Sequence, residues 1–172
     1  MIQINFLAIL FAALVPLLTG FIWYNPKVFG KIWMREAGLS EDKMRGANMG
    51  LIIISSIVLS ILMGFFLQFV TIHQFGAVGM VGGDPDLAKP SFTAFMHDYG
   101  TAYRSFGHGA LHSFITGVFF VLPLISINAM FERKSWKYAL INAAYWTFTI
   151  TIMGGIICGW YAIDGFNWVT QK

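Results

Sequence analysis

Two histidines lie four residues apart in an otherwise apolar stretch, SFGHGALHSF, at residues 105–114. At this spacing His108 and His112 share one face of a helix, where two imidazoles can bind the same metal ion. A third ligand would have to come from His73 or His97, the other two histidines of the chain. The stretch lacks the glutamate that a zinc-protease helix carries between its histidines. The sequence therefore favours hydrogen bonding to neighbouring helices or water for this pair and predicts no cofactor. A metal or haem site stays open as the alternative.

Polar side chains form one stripe on each of two apolar segments when the residues are placed at helical spacing. The stripe residues are His108, His112 and Thr116 on the first segment and Asn142, Tyr145 and Trp146 on the second. Within a membrane, polar groups face protein or water, because lipid offers them no hydrogen-bond partner. We therefore expect the two stripes to meet inside a helical bundle, with Tyr145 as a candidate partner of His112. Together they would bind a small molecule or a lipid.

The composition indicates that most of the surface faces lipid. Hydrophobic residues make up 57% of the 172-residue chain and charged residues only 11%, whereas a soluble domain is about 25% charged. A helix needs roughly 20 apolar residues to cross about 30 Å of hydrocarbon. Four segments reach that length: 4–24, 47–72, 106–131 and 138–162. Since lipid cannot satisfy an open strand, the sequence predicts an all-α integral membrane protein, with residues 1–172 forming a single domain of four transmembrane helices.

Basic residues concentrate at one end of these segments. Residues 25–46 and 132–137 together carry eight of the 11 lysines and arginines. Loops rich in lysine and arginine stay in the cytoplasm. We therefore expect a multi-pass protein of the inner membrane with both termini and all four histidines on the outer side. Because these basic residues lie at the ends of apolar segments, the net charge of +3 indicates a lipid bilayer as the partner and argues against nucleic acid.

Both longer loops carry the pattern of a short helix lying in the membrane interface. In the first loop, NPKVFGKIWMREAG places basic and aromatic side chains on neighbouring helical faces. In the outer loop, an apolar stripe follows Pro90.

Two glycines in the last apolar segment, Gly155 and Gly159, have the spacing that lets membrane helices approach closely. Packing within the chain is the favoured use of these glycines, and a homo-oligomer is the alternative.

Five stretches follow one another in a distinctive order: INFLAILFAALV, GFIWYNPKVFGKIWM, an HG pair heading the third segment, INAMFERKSWKYALINAAYW and IMGGIICGW. The turn FERKSWK with the INAAYW that follows is the most specific of them. Together they resemble the bacterial membrane family known as domain of unknown function 1761. The resemblance implies a four-span inner-membrane protein, and it implies neither an activity nor catalytic residues.

Two classes of function fit these features. The first is a non-enzymatic membrane component that binds or transports a small molecule or lipid, or that binds a partner's helix as an accessory subunit. The second is a metal- or haem-binding redox protein built on the outer-side histidines. The sequence favours the first class and contains no nucleophile elbow, phosphate-binding loop or buried carboxylate pair that would indicate an enzyme.

Overall fold

The computed structural model describes residues 4–160 of the chain. It is 79% helical, and no strand occurs in the described part. Four helices are long and apolar enough to cross a membrane. The predicted all-α integral membrane fold is thus confirmed. Residues 161 and 162, at the predicted end of the fourth span, lie outside the described residues.

Nine α-helices follow one another between residues 6 and 159 of the described chain. In chain order they are α1 (Phe6–Trp23), α2 (Gly30–Ala37), α3 (Glu41–Arg45), α4 (Met49–Thr71), α5 (His73–Met80), α6 (Pro90–Tyr99), α7 (Phe106–Thr116), α8 (Leu122–Phe131) and α9 (Trp136–Gly159). Helix α1 forms the first span, α4 the second and α9 the fourth, while α7 and α8 together form the third. The short helices α2 and α6 lie in the two loops where the sequence predicted them.

Each span begins at a side chain that caps the helix. These N-cap residues are Asn5, Asn48, Ser105 and Ser135, and each accepts a hydrogen bond from the backbone N–H three residues later. The first N–H groups of a helix have no partner within the helix, so a capping oxygen satisfies one of them. The sequence thus fixes where each span starts.

The third span contains a π-helical turn at Gly117–Val121, between α7 and α8. Pro123 lies two residues after this turn and has no N–H to donate, so a regular helix would leave a carbonyl unpaired here. Local π geometry is one way in which membrane helices satisfy such groups. The wider turn also changes the helical phase between α7 and α8.

Helix α9 lies at the centre of the bundle and contacts α1, α4, α7 and α8. Half of its most apolar stretch is buried, against 17% for the second and third spans. Because protein surrounds it, α9 can carry polar residues in the membrane, and both Thr147 and Thr149 are buried. Thr149 and Thr19 of α1 lie within hydrogen-bond distance of each other, with 2.9 Å between their Oγ1 atoms.

Small residues bring α7 and α9 together. A Cβ atom added at Gly109 would meet the Gly154 carbonyl and would lie 2.5 Å from the Cβ of Cys158. A Cβ at Gly117 would lie 2.6 Å from the Cγ2 of Thr147. The third-span residues of this contact follow one another at intervals of four, with the buried Ser113 between the glycines.

The two glycines singled out from the sequence pack within the chain, against the start of α7. A Cβ at Gly155 would lie 2.6 Å from the ring of Phe106, and a Cβ at Gly159 would lie 2.8 Å from its backbone nitrogen. Close approach of this kind is what small residues in membrane helices permit.

Candidate metal centre

Three histidines lie at one end of the bundle, one on α5, just after the second span, and two at the start of the third span. Helix α4 ends at Thr71, and Ile72 adopts an extended backbone, so His73 begins the next helix, α5. His108 and His112 lie in the first two turns of α7, where the N–H of His108 donates to the Oγ of the Ser105 cap. We call this end, with His73, His108 and His112, the histidine end.

The three imidazoles converge on one region. Each histidine contributes one ring nitrogen to a group of three, and these three atoms all lie within 4.8 Å of one another. The Nε2 atoms of His73 and His108 are 2.9 Å apart, and the three ring centroids are 4.4 to 4.8 Å apart. His73 is exposed, whereas His108 and His112 are half-buried. Two nitrogens at 2.9 Å require that one donates and one accepts, or that both bind a common cation, because two protonated rings would repel each other.

Tyr103 covers the cluster from the loop before α7. Its ring stacks on His108 with 5.1 Å between centroids. Its backbone φ is 61°, in the left-handed region that residues other than glycine rarely adopt. The end of α9 supports this turn, since the Cys158 thiol donates to the Tyr103 carbonyl and Arg104 Nε donates to the Cys158 carbonyl. Such backbone strain persists only where surrounding contacts hold it, often at functional sites.

The fourth histidine lies apart from this cluster. His97 is exposed on α6, and its Nδ1 is 3.0 Å from an Asp98 carboxylate oxygen. Of the four ligands weighed from the sequence, the structure therefore brings together His73, His108 and His112. Thr116, the third residue of the α7 stripe, donates to the backbone carbonyl of His112.

The polar stripe of α9 faces a different helix from the one expected. The Tyr145 hydroxyl donates to the Pro16 carbonyl at 2.7 Å, and the Asn142 side-chain oxygen accepts from the Tyr24 hydroxyl at 2.9 Å. Trp146 contacts the ring of Tyr145, with 5.0 Å between centroids. The expectation that the two stripes meet, with Tyr145 beside His112, was wrong.

The cause lies in how α7 packs. Gly109 of α7 and Gly117, the first residue of the π-helical turn after it, face α9, so the histidines of α7 face the α4–α5 joint instead. The polar stripe of α9 is left to contact α1. Spacing along one helix cannot show which neighbour that helix faces.

A cavity of about 260 Å³ lies beside the cluster, and sequence reasoning missed it. Its lining includes His73, Gln74, Ala77, Phe95, Tyr99 and Tyr103. The Gln74 amide nitrogen donates to the carbonyls of Tyr99 and Ala102, while its Oε1 is buried without a partner in the described chain. A glutamine next to a histidine at the end of an apolar run was the available signal.

The model of one protein family, described as a protein of unknown function (DUF1761), matches residues 7–158. The chain belongs to this family. The match includes all three clustered histidines, and it confirms the resemblance noted in the sequence. No curated protein and no solved structure matches the chain.

Proposed function

We propose that this DUF1761 protein is a non-enzymatic membrane component that binds one zinc or copper ion through His73, His108 and His112. The observation that carries the proposal is the convergence of three imidazoles within 4.8 Å. The sequence alone supplied two histidines at helical spacing, and two ligands are too few for a stable site. The third comes from the adjoining helix.

The donor set suits such an ion. Imidazole nitrogens bind zinc, copper and nickel well, and zinc–nitrogen bonds are about 2.0–2.1 Å long. In tetrahedral geometry the nitrogens would be about 3.4 Å apart, so the closest pair, now 2.9 Å apart, needs only a small outward shift. Three protein ligands leave a fourth position open to water or another molecule.

Haem fits this arrangement less well. An axial histidine stands over the face of a flat macrocycle. Ring centroids only 4.4 to 4.8 Å apart leave no room for a macrocycle among the three rings. The geometry therefore favours a single ion.

Metal content tests the proposal directly. We expect purified protein to bind about one equivalent of zinc per chain, measured by mass spectrometry of the metal after equilibrium dialysis. His73→Ala, His108→Ala and His112→Ala should each abolish this binding. His97→Ala is the matched control and should retain it.

The alternative is a hydrogen-bonding role for the histidines. It predicts no stoichiometric metal, and for His112→Ala only the loss of about 0.6 kcal/mol, at most about 1.7, that membrane hydrogen bonds typically contribute. Wild-type protein without saturable zinc or copper binding would overturn the metal proposal.

We further propose that the protein lies in the bacterial inner membrane with its histidines on the outer side. Eight of 11 basic residues lie in residues 25–46 and 132–137. Lys134 donates to the Ala37 carbonyl at 2.8 Å, which supports one shared end for the two loops. We call it the basic end.

Thiol labelling tests this orientation. In spheroplasts a cysteine at Lys31 should resist an impermeant thiol reagent, and one at Asp84 should react. Both positions are exposed, and the wild-type chain, whose one cysteine is buried, gives the background. The opposite labelling pattern would reverse the proposed topology.

A further inference from the structure

We infer that the cavity beside His73 binds a phenol-class ligand, meaning a single aromatic ring that carries a hydroxyl group. This site goes beyond metal binding. Apart from His73, its lining residues do not belong to the histidine cluster. A neutral ring would occupy the space between α5 and the loop that follows α6.

The side chain of Gln74 is held in one orientation. Its amide nitrogen donates to the Tyr99 carbonyl at 3.0 Å and to the Ala102 carbonyl at 2.9 Å. Rotating the amide by half a turn would replace both bonds with contacts between oxygens. The Oε1 atom must therefore remain an acceptor.

That acceptor has no donor within the described chain. Gln74 is only 5% exposed, and its Oε1 is buried without a hydrogen-bond partner. Buried acceptors are rarely left unpaired, because they lose their bonds to water on burial. Gln74 lines the cavity, so a ligand hydroxyl that reaches Oε1 from the cavity would supply the missing donor.

The cavity walls specify the rest of the ligand. Phe95, Tyr99 and Tyr103 present aromatic rings, and the described lining contains no lysine, arginine, aspartate or glutamate. Aromatic rings pack well against one another in offset or edge-to-face contact, and uncharged walls favour a neutral ligand. An apolar cavity of about 150 Å³ holds benzene, so 260 Å³ accommodates one substituted ring.

Entry from the membrane surface is open to such a ligand. Phe95 is 47% exposed, Tyr99 55% and Tyr103 70%. Tyrosines are typical of the interface between lipid and water. A phenol partitions into the same layer, because it combines an apolar ring with one polar group.

Two probes that differ only in the donor test the inference. The protein in lipid nanodiscs is titrated with p-cresol and with 4-methylanisole, which carries a methyl group on the oxygen. Binding is followed by saturation-transfer NMR against empty nanodiscs. We expect saturable p-cresol binding that is about tenfold tighter than that of 4-methylanisole, as the loss of one hydrogen bond implies.

Matched variants locate the site. Ala77→Leu and Ala102→Leu place a larger side chain in the cavity lining and should each abolish p-cresol binding. Ala94→Leu, exposed on α6 and outside this cavity, should bind like the wild type. His112→Ala should also retain p-cresol binding, so a failed metal site and a failed cavity site give different results.

Three results would overturn the inference. They are p-cresol binding no greater than that of empty nanodiscs, equal affinity for both probes, and binding retained in both cavity variants. Each would mean that the Gln74 oxygen accepts its hydrogen bond from water and not from a phenol.

Discussion

The two ends of the bundle use polar residues in opposite ways. At the basic end, unlike groups pair across the chain: Lys134 donates to the Ala37 carbonyl and the Ser135 hydroxyl donates to the Glu36 carboxylate. At the histidine end, like groups face each other, and the Nε2 atoms of His73 and His108 are 2.9 Å apart. Complementary pairs such as these join helices and loops. Converging imidazole nitrogens, in contrast, suit the binding of a metal ion from outside the chain.

The histidine end also carries features that reduce stability. Tyr103 has a left-handed backbone, and Gln74 has a buried oxygen without a partner. Each costs about 1–3 kcal/mol in a typical protein. The basic end carries features of the same two kinds, since Arg133 also has a left-handed backbone and the Trp33 indole nitrogen is buried without a partner in the described chain. What distinguishes the histidine end is therefore the convergence of its three imidazoles.

The largest effect should come from separating α7 and α9. Gly109→Val would drive a branched side chain into the Gly154 carbonyl and the Cβ of Cys158. Overpacking typically costs about 1–3 kcal/mol, and a clash with backbone lies at or beyond the upper end. We expect a large fall in the thermal unfolding temperature and loss of zinc binding, because α7 carries His108 and His112.

A neighbouring glycine provides the control. A Cβ at Gly107 would have nothing within 4 Å, so Gly107→Val should keep both the unfolding temperature and zinc binding close to wild type. If Gly109→Val unfolded like the wild type, the small-residue contact would not be what positions the cluster.

The four spans could be predicted from the sequence because the bilayer sets their length. The expected third span, residues 106–131, matches the observed Phe106–Phe131. The expected first and second spans, 4–24 and 47–72, extend two residues or fewer beyond the observed Phe6–Trp23 and Met49–Thr71. Apolar composition and helical spacing are local properties, so a linear sequence carries them completely.

The site depended on contacts between distant parts of the chain. His73 and His97 were equal candidates for the third ligand, since neither spacing nor composition favours one. The choice follows from the break at Ile72, which no proline or glycine marks, and from the position of His97, which lies outside the cluster and contacts Asp98 instead. The direction of the α9 stripe likewise depends on helix rotation, which Gly109 and Gly117 set through packing.

A smaller effect is expected from the polar contact between α9 and α1. Tyr145→Phe removes the hydroxyl that donates to the Pro16 carbonyl. Hydrogen bonds between membrane helices contribute about 0.6 kcal/mol on average and about 1.7 at most, so the free energy of unfolding should fall by that amount. Zinc affinity should stay unchanged, because Tyr145 contacts α1 and not the histidines. A parallel loss of zinc affinity would show that the two ends are coupled.

The smallest effect should be a pH-dependent one at the basic end. The Ser135 hydroxyl donates to the Glu36 carboxylate at 2.6 Å, and Arg35 donates to it as well. Both bonds hold the pKa of Glu36 below its ordinary value of 4.5, and the bond from Ser135 has the larger effect. Because the folded-state pKa lies below the unfolded one, the carboxylate stabilises the fold above pH 4.5 and loses this contribution as the pH falls through the folded-state pKa.

Glu36→Gln should therefore unfold at a slightly lower temperature than the wild type at pH 7, with the difference shrinking below pH 4.5. Thermal unfolding of both proteins at a series of pH values measures this. The effect stays small because solvent and salt screen a contact at the surface. If the temperature difference were the same at every pH, the Ser135 contact would not depend on the charge of Glu36. The contact between Glu36 and Ser135 would then act as a neutral hydrogen bond. The contrast between the two ends would rest on the bond from Lys134 to the Ala37 carbonyl.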